Sequence, residues 1–186
     1  MSIENNRITT YPMKGTMDAK VSDAKTKLLD DEKELAEHFT IVDLLRNDLS
    51  IVATNVQVDK FRYVETIKTN HSELLQTSSK ISGELLPDYQ KKYGDLLMSL
   101  LPAGSISGAP KEKTIQLIKE IEDFDRGFFT GVFGVYNGQS LKSAVAIRYL
   151  EQRENQLYFF SGGGIVSHSR VENEYNELLD KVYLPI

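Results

Sequence analysis

The stretch FFTGVFGVYNGQSLKSAVAIRYLEQRENQLYFFS, residues 128–161, decides the fold class. Its β-branched and aromatic runs read as strands, and Asn137-Gly138 between two of them is a strong hairpin signal. A second turn near Asn155 joins SLKSAVAIRYLE to QLYFFS. Hairpins make neighbouring strands antiparallel. Strand blocks and helix blocks are segregated along the chain, so the expected fold class is α+β, an antiparallel sheet with flanking helices, rather than a doubly wound fold.

Working outward, NNRITTYP (5–12) reads as one strand closed by Pro12, followed by a polar loop or short helix to residue 30. DDEKELAEHFTIVDLLRND (30–48) predicts a helix with acidic residues in its first turn and an apolar stripe of Leu35, Phe39, Val42 and Leu45. Strands are expected around VQVDKFRYVETIKT (56–69) and ELLQTSSKISGEL (73–85), and a helix from Pro87 to about Leu101. PAGSISGAP (102–110) is a loop of small residues, after which Pro110 begins the helix KEKTIQLIKEIE. Beyond the hairpins, GGGIVSHS (162–169) leads into a last helix from about Arg170 to Val182. No repeat or linker divides the chain, so residues 1–186 read as one domain.

The 186 residues are 40% hydrophobic and 26% charged, which suits a globular protein. A net charge of −5 with no basic block gives no electrostatic footprint for nucleic acid. Apolar runs are too short for a membrane span and no signal peptide opens the sequence. The absence of cysteine removes disulfides, thiolate chemistry and Cys-based metal sites, and is compatible with a cytoplasmic location. His38, His71 and His168 are widely spaced and form no H-x-x-x-H zinc pattern.

Four features could carry chemistry. In TYPMKGT (10–16), Lys14 stands between a proline that fixes its own φ and a glycine that permits a sharp backbone change, on a ledge where a strand ends. It is either a solvated loop lysine or an amine held for chemistry. Glu34 with Glu37, and Glu174 with Glu177, are spaced i,i+3, which puts each carboxylate pair on one helix face. Such faces are either solvated or, meeting across a cleft, bridged by a hard cation such as Mg²⁺. Gly162, Gly163 and Gly164 follow a strand and could converge their amides on an anion as a nest, or form an ordinary loop. The PAGSISGAPK segment offers amide and hydroxyl donors at a helix N-terminus. Arg148 shares a strand face with Ala144 and Ala146, leaving room for its planar fork to grip a carboxylate, unless it pairs with a neighbouring acid. Together these features suggest a small, multiply anionic ligand.

Six ordered segments, YPMKGT (11–16), EHFTIVDLLRNDL (37–49), PAGSISGAPK (102–111), AIRYL (146–150), SGGGIV (161–166) and ENEYNELLDK (172–181), resemble the chorismate-utilising enzymes. That family includes anthranilate synthase component I, aminodeoxychorismate synthase component I, and the isochorismate and salicylate synthases. The resemblance implies that Glu37 and Glu177 ligate Mg²⁺, supported by Glu34 and Glu174. It also implies that the metal and the amides of Gly162, Gly163 and Gly164 hold the ring carboxylate of chorismate. The resemblance further implies that Arg148 takes the enolpyruvyl carboxylate and that Ser105 and Lys181 occupy family positions at the substrate.

Lys14 then points to the aminodeoxychorismate synthases of the lysine type, whose P-I-K-G-T resembles P-M-K-G-T here; the anthranilate and salicylate enzymes carry alanine at that position. In that subfamily the lysine amine attacks ring C2 on the path to 4-aminobenzoate and folate, and a glutamine amidotransferase subunit supplies the ammonia. Two departures stand out. Gln76 occupies a position where the family usually has histidine, and the family's acid/base glutamate belongs to a segment upstream of the motif that starts this chain. The resemblance therefore implies a carboxy-terminal portion of the catalytic domain, expected to make no detectable product alone. Anthranilate synthase component I and a non-catalytic chorismate-binding fragment are the alternatives.

Overall fold

The computed structural model describes residues 1–68, 72–167 and 169–182; His71 and His168 lie outside them. The amino-terminal strand of the sequence reading is in fact a hairpin. β1 (Ser2–Glu4) and β2 (Arg7–Thr10) are joined by Asn5 and Asn6, whose φ values are 50° and 59°. Asparagine tolerates this left-handed region, and two such residues give the tight turn that matches strand twist. Pro12 then interrupts pairing, and β3 (Met13–Asp18) begins. A short helix α1 (Ala24–Asp30) precedes α2 (Glu32–Val52), whose N-terminus is capped by the Asp31 side chain accepting from the Glu34 amide at 2.9 Å.

Two long strands follow, β4 (Ala53–Lys68) and β5 (Glu73–Leu85), paired antiparallel along their length. The other edge of β5 takes β2 over Arg7–Thr10 and then β3 over Met13–Asp18, so these two strands lie end to end along it. β1 continues the sheet to β7 (Leu141–Val145) and β6 (Val132–Tyr136), giving seven antiparallel strands. β8 (Tyr149–Arg153) and β9 (Gln156–Phe160) form a separate two-stranded sheet. The α+β class with antiparallel sheet is the observed one.

The expected continuous strand through Arg148 is broken. Ala146 exchanges its last backbone bonds with Gly131 and Thr130, at 2.9 and 2.8 Å, where the partner chain leaves the sheet. With no ladder beyond Ala146, Arg148 turns to φ 50° and the chain passes into the smaller sheet. Ala144, Ala146 and Arg148 therefore do not share a strand face. The helix expected from Pro87 to Leu101 also divides, into a 3₁₀ turn at Pro87–Tyr89 and α3 (Tyr93–Leu100). The small-residue loop contains the one-turn helix α4 (Gly104–Ser107), and α5 (Lys111–Ile121) and α6 (Val171–Asp180) complete the helices.

The core lies where α2 and α3 cover the sheet. Ile3, Ile8, Val42, Leu49, Ile81 and Leu96 are all nearly or fully buried. On α2 the inward stripe is His38, Val42, Leu49 and Val52. It is rotated from the sequence expectation, and Phe39 stands 55% exposed against Phe61. The carboxy-terminal half differs, with Phe128, Phe133, Leu157 and Val171 exposed. Ile81→Ala should cost about 2–5 kcal/mol in urea denaturation, the scale for emptying a packed core site. Phe133→Ala, at an exposed position, should stay within about 0.5 kcal/mol of wild type.

Candidate functional site

β3 presents Lys14 through a backbone irregularity. Gly15 has φ 83° and the register on β5 shifts between Met13 and Thr16. A Cβ at Gly15 would meet Glu34 Oε2 and Leu28 Cδ1 at 3.2 Å and Thr77 Oγ1 at 3.3 Å, so close approach and left-handed geometry both demand glycine. Strand β5 fixes this segment from beneath. The Thr77 hydroxyl donates to the Lys14 carbonyl, and the Ser79 amide donates to the Pro12 carbonyl at 2.9 Å. Lys14 thus lies on a bulged strand following the proline break, not on a loop.

Opposite it, the first turns of α2 supply the acids. Lys14 Nζ donates to Glu37 Oε2 at 2.8 Å, and Lys33 Nζ stands 3.8 Å from Glu37 Oε1. Glu34 lies over Gly15, and its carboxyl is pushed above the usual range by burial first, then by the Glu37 and Asp31 charges. One position on from Glu37, His38 points the other way into the core. It is fully buried, with Nε2 2.7 Å from Ser79 Oγ, while that oxygen also accepts from the Arg62 amide at 2.8 Å. Burial, and then the Arg62 guanidinium, hold His38 below the ordinary histidine range, against an opposing pull from the Lys14 carbonyl.

A second group gathers on α6 and the glycine run. Lys181 Nζ pairs with Glu177 Oε1 at 2.6 Å and reaches the Gly162 carbonyl at 3.4 Å. Ser169 donates to Glu174 Oε1 at 2.5 Å, and a Cβ at Gly163 would lie 3.7 Å from Glu174 Oε2. The two groups feel each other. The Lys181 hydrogen bond holds the Glu177 carboxyl below its usual range, and the charges of Lys181, Lys14 and Lys33 add to this. Glu177 on α6 therefore lies within the field of the lysines on β3 and α2.

Other expected members stand apart. None of Gly162, Gly163 and Gly164 has a left-handed φ, so the run lacks the alternating geometry of a nest. Arg148 is exposed on the bend between the sheets and makes no ion pair among the described residues. Ser105 is exposed on α4, whose position depends on a contact that local patterns do not reveal. Asp48 of α2 accepts from the Gly104 amide and from Lys111 Nζ, both at 2.9 Å. Gln76 lies across from Thr16 on β3, 3.4 Å from its hydroxyl. His38, Thr77, Ser79, Asp48 and Lys111 were not singled out from the sequence. His38, Asp48 and Lys111 lie inside the quoted motif segments and were given no role at the site there, whereas Thr77 and Ser79 lie outside those segments.

Among the described residues no three acidic or histidine side chains stand at metal-ligand spacing. The donor set nevertheless fits Mg²⁺, which retains several waters and needs only one or two carboxylates. A protein cation already stands against Glu37, which shows that the position accommodates positive charge.

Comparison with known proteins agrees with the motifs. The family described as chorismate binding enzyme matches residues 1–185. The chain belongs to that family. It is 57% identical over 186 residues to a Haemophilus influenzae protein named "Uncharacterized PabA-like protein", covering all of this chain and 57% of that one. It is 36% identical to anthranilate synthase component 1 of Aquifex aeolicus, covering 96% of this chain and 37% of that one. The crystal structure of anthranilate synthase component I from Streptococcus pneumoniae superposes with a TM-score of 0.79 at 37% identity, over 97% of this chain and 40% of that chain. The family chain thus spans little more than half the length of these relatives or less. Among the described residues no helix is long and apolar enough to cross a membrane.

The raised Glu34 carboxyl sets a pH dependence in metal-free buffer. The folded state holds this proton to higher pH than the unfolded state, so the residue lowers stability as pH rises through and above about 4.5. Glu34→Gln should therefore raise Tm at pH 7 and lose that advantage well below pH 4.5, as differential scanning calorimetry with chelator present will show.

Proposed function

We propose that this chain is the catalytic portion of an aminodeoxychorismate synthase component I, which aminates chorismate at C4 to 4-amino-4-deoxychorismate for 4-aminobenzoate and folate synthesis. The observation that carries the reading is Lys14, whose backbone is held by Thr77, whose neighbour Pro12 is held by Ser79, and whose amine is set among the Glu34 and Glu37 carboxylates. Family membership supports chorismate as substrate, and the lysine motif selects among the family's reactions.

In this reading Glu37 and Glu177 hold Mg²⁺, whose charge anchors the ring carboxylate, with Glu34 and Glu174 supporting. Lys181, Ser105 and the glycine amides contact the substrate. Arg148, exposed and without an ion pair among the described residues, offers its planar fork to the enolpyruvyl carboxylate. Lys14 Nζ, as the neutral amine, bonds to ring C2 and gives up a proton, the ring double bonds shift, and the C4 hydroxyl takes a proton and leaves as water. Ammonia then bonds to C4 and gives up a proton, the double bonds return, and Lys14 Nζ takes a proton and departs as the free amine. A glutamine amidotransferase subunit supplies the ammonia in the cell. The role of Lys14 is nucleophilic catalysis, which divides one displacement into two easier ones.

The test uses this chain joined to the part of the Haemophilus relative that it does not cover, supplied with chorismate and Mg²⁺. Without ammonia, the Lys14 peptide should gain the mass of chorismate less water. With ammonia, chromatography should show the 4-amino product. Lys14→Ala should lose the adduct and yield some 2-amino isomer by direct entry at C2. An unmodified Lys14 with unchanged 4-amino product from the alanine variant would overturn the reading, and a 2-amino product from the wild type would favour anthranilate synthesis. Arg148→Ala should lower kcat/KM by about 30- to 1000-fold, the scale for truncating a desolvated charge partner, and Arg148→Lys should recover only part.

A further inference from the structure

The pairing of Lys14 with Glu37 creates a conflict within the proposed reaction. Glu37 has two carboxylate oxygens, and both face lysines: Oε2 takes a hydrogen bond from Lys14 at 2.8 Å, and Oε1 stands 3.8 Å from Lys33. A nitrogen donating to Glu37 is held against α2 and is not free to attack a ring carbon. A cation on Glu37 would need the same oxygens and the same space. The two requirements, metal on Glu37 and a free Lys14 nitrogen, are therefore met by one exchange.

We propose that Lys14 is the internal counter-ion of Glu37, and that Mg²⁺ entry displaces it and frees its nitrogen for the substrate. The inference rests on the reading of Glu37 as a Mg²⁺ ligand. Three features of the geometry favour displacement over coexistence. The backbone of Lys14 is pinned by Thr77, so release is a side-chain movement and leaves β3 in place. The lysine and glutamate side chains are 45% and 32% exposed, and such pairs are weak enough for a divalent ion to break. Glu34 stands near Glu37, so removing Lys14 without a replacement charge leaves two carboxylates in mutual repulsion. Cation and lysine are thus alternatives at one anion.

Two measurements on the 186-residue protein at fixed pH test this. Calorimetry should show Mg²⁺ binding two- to tenfold tighter to Lys14→Met than to wild type, with a smaller change for Lys33→Met, whose ammonium stands farther off. Acylation of lysines, read peptide by peptide by mass spectrometry, should proceed severalfold faster at Lys14 when Mg²⁺ saturates the site. Glu37→Gln should show the faster Lys14 labelling with or without Mg²⁺. If Mg²⁺ binds by calorimetry but Lys14 labelling is unchanged, the displacement is overturned while the metal site stands. If neither wild type nor Lys14→Met binds Mg²⁺, the assignment of Glu37 falls and the displacement falls with it.

Discussion

Strand β5 is paired on both edges, and the placement of every group around Lys14 depends on that. One edge carries β4 and the other carries β2 and then β3. A central strand is normally apolar, yet Thr77, Ser78, Ser79 and Ser82 are all fully buried here. Each has a partner: Thr77 the Lys14 carbonyl, Ser78 the Glu65 carboxylate, Ser79 the His38 ring and Arg62 amide, and Ser82 the Asp59 carboxylate. A buried hydroxyl left unpaired costs about 1–3 kcal/mol, so the register of three neighbouring segments is locked to this one strand. Slipping β3 by one residue would reverse every side chain on it and turn Lys14 away from α2.

Helix α2 completes the arrangement through adjacent residues with opposite tasks. Successive positions turn by about 100° around a helix, so Glu37 faces Lys14 at the partly exposed surface while His38 enters the core over Ser79. The capping of α2 by Asp31 matters for the same reason, because it sets where the first turn begins and hence where Glu34 and Glu37 point. Arg62 ties this region together from the other side. Its guanidinium donates to the carbonyls of Leu28 and Leu29 at the end of α1, just before α2 starts.

What was legible in the sequence divides along the same physical lines. The Asn137-Gly138 hairpin, the long helix after Asp31 and the α+β class all rest on local signals, periodicity and turn chemistry, and they appear in the structure. The Asn5-Asn6 turn was also local but lay inside a run of β-forming residues, which hid it. The break before Arg148 was not legible, because it is set by where the partner segment near Thr130 leaves the sheet. Lys14, Glu34 and Glu37 were found as a set of residue types. The bonds that aim them, from Thr77, Ser79 and His38, join positions far apart in sequence and leave no periodic trace.

The result is a rigid polar floor beneath exchangeable surface charges. The Ser79–His38 and Thr77–Lys14 contacts are buried, where an unmet hydrogen bond is costly and geometry is therefore held. The Lys14–Glu37 pair sits above it and the Lys181–Glu177 pair lies on α6, both partly in water, where the gain from pairing is about 0–1 kcal/mol and salt weakens it further. Backbone positions stay fixed to within the tolerance of close-packed strands, while the partly exposed ammonium groups can leave their carboxylate partners at little cost.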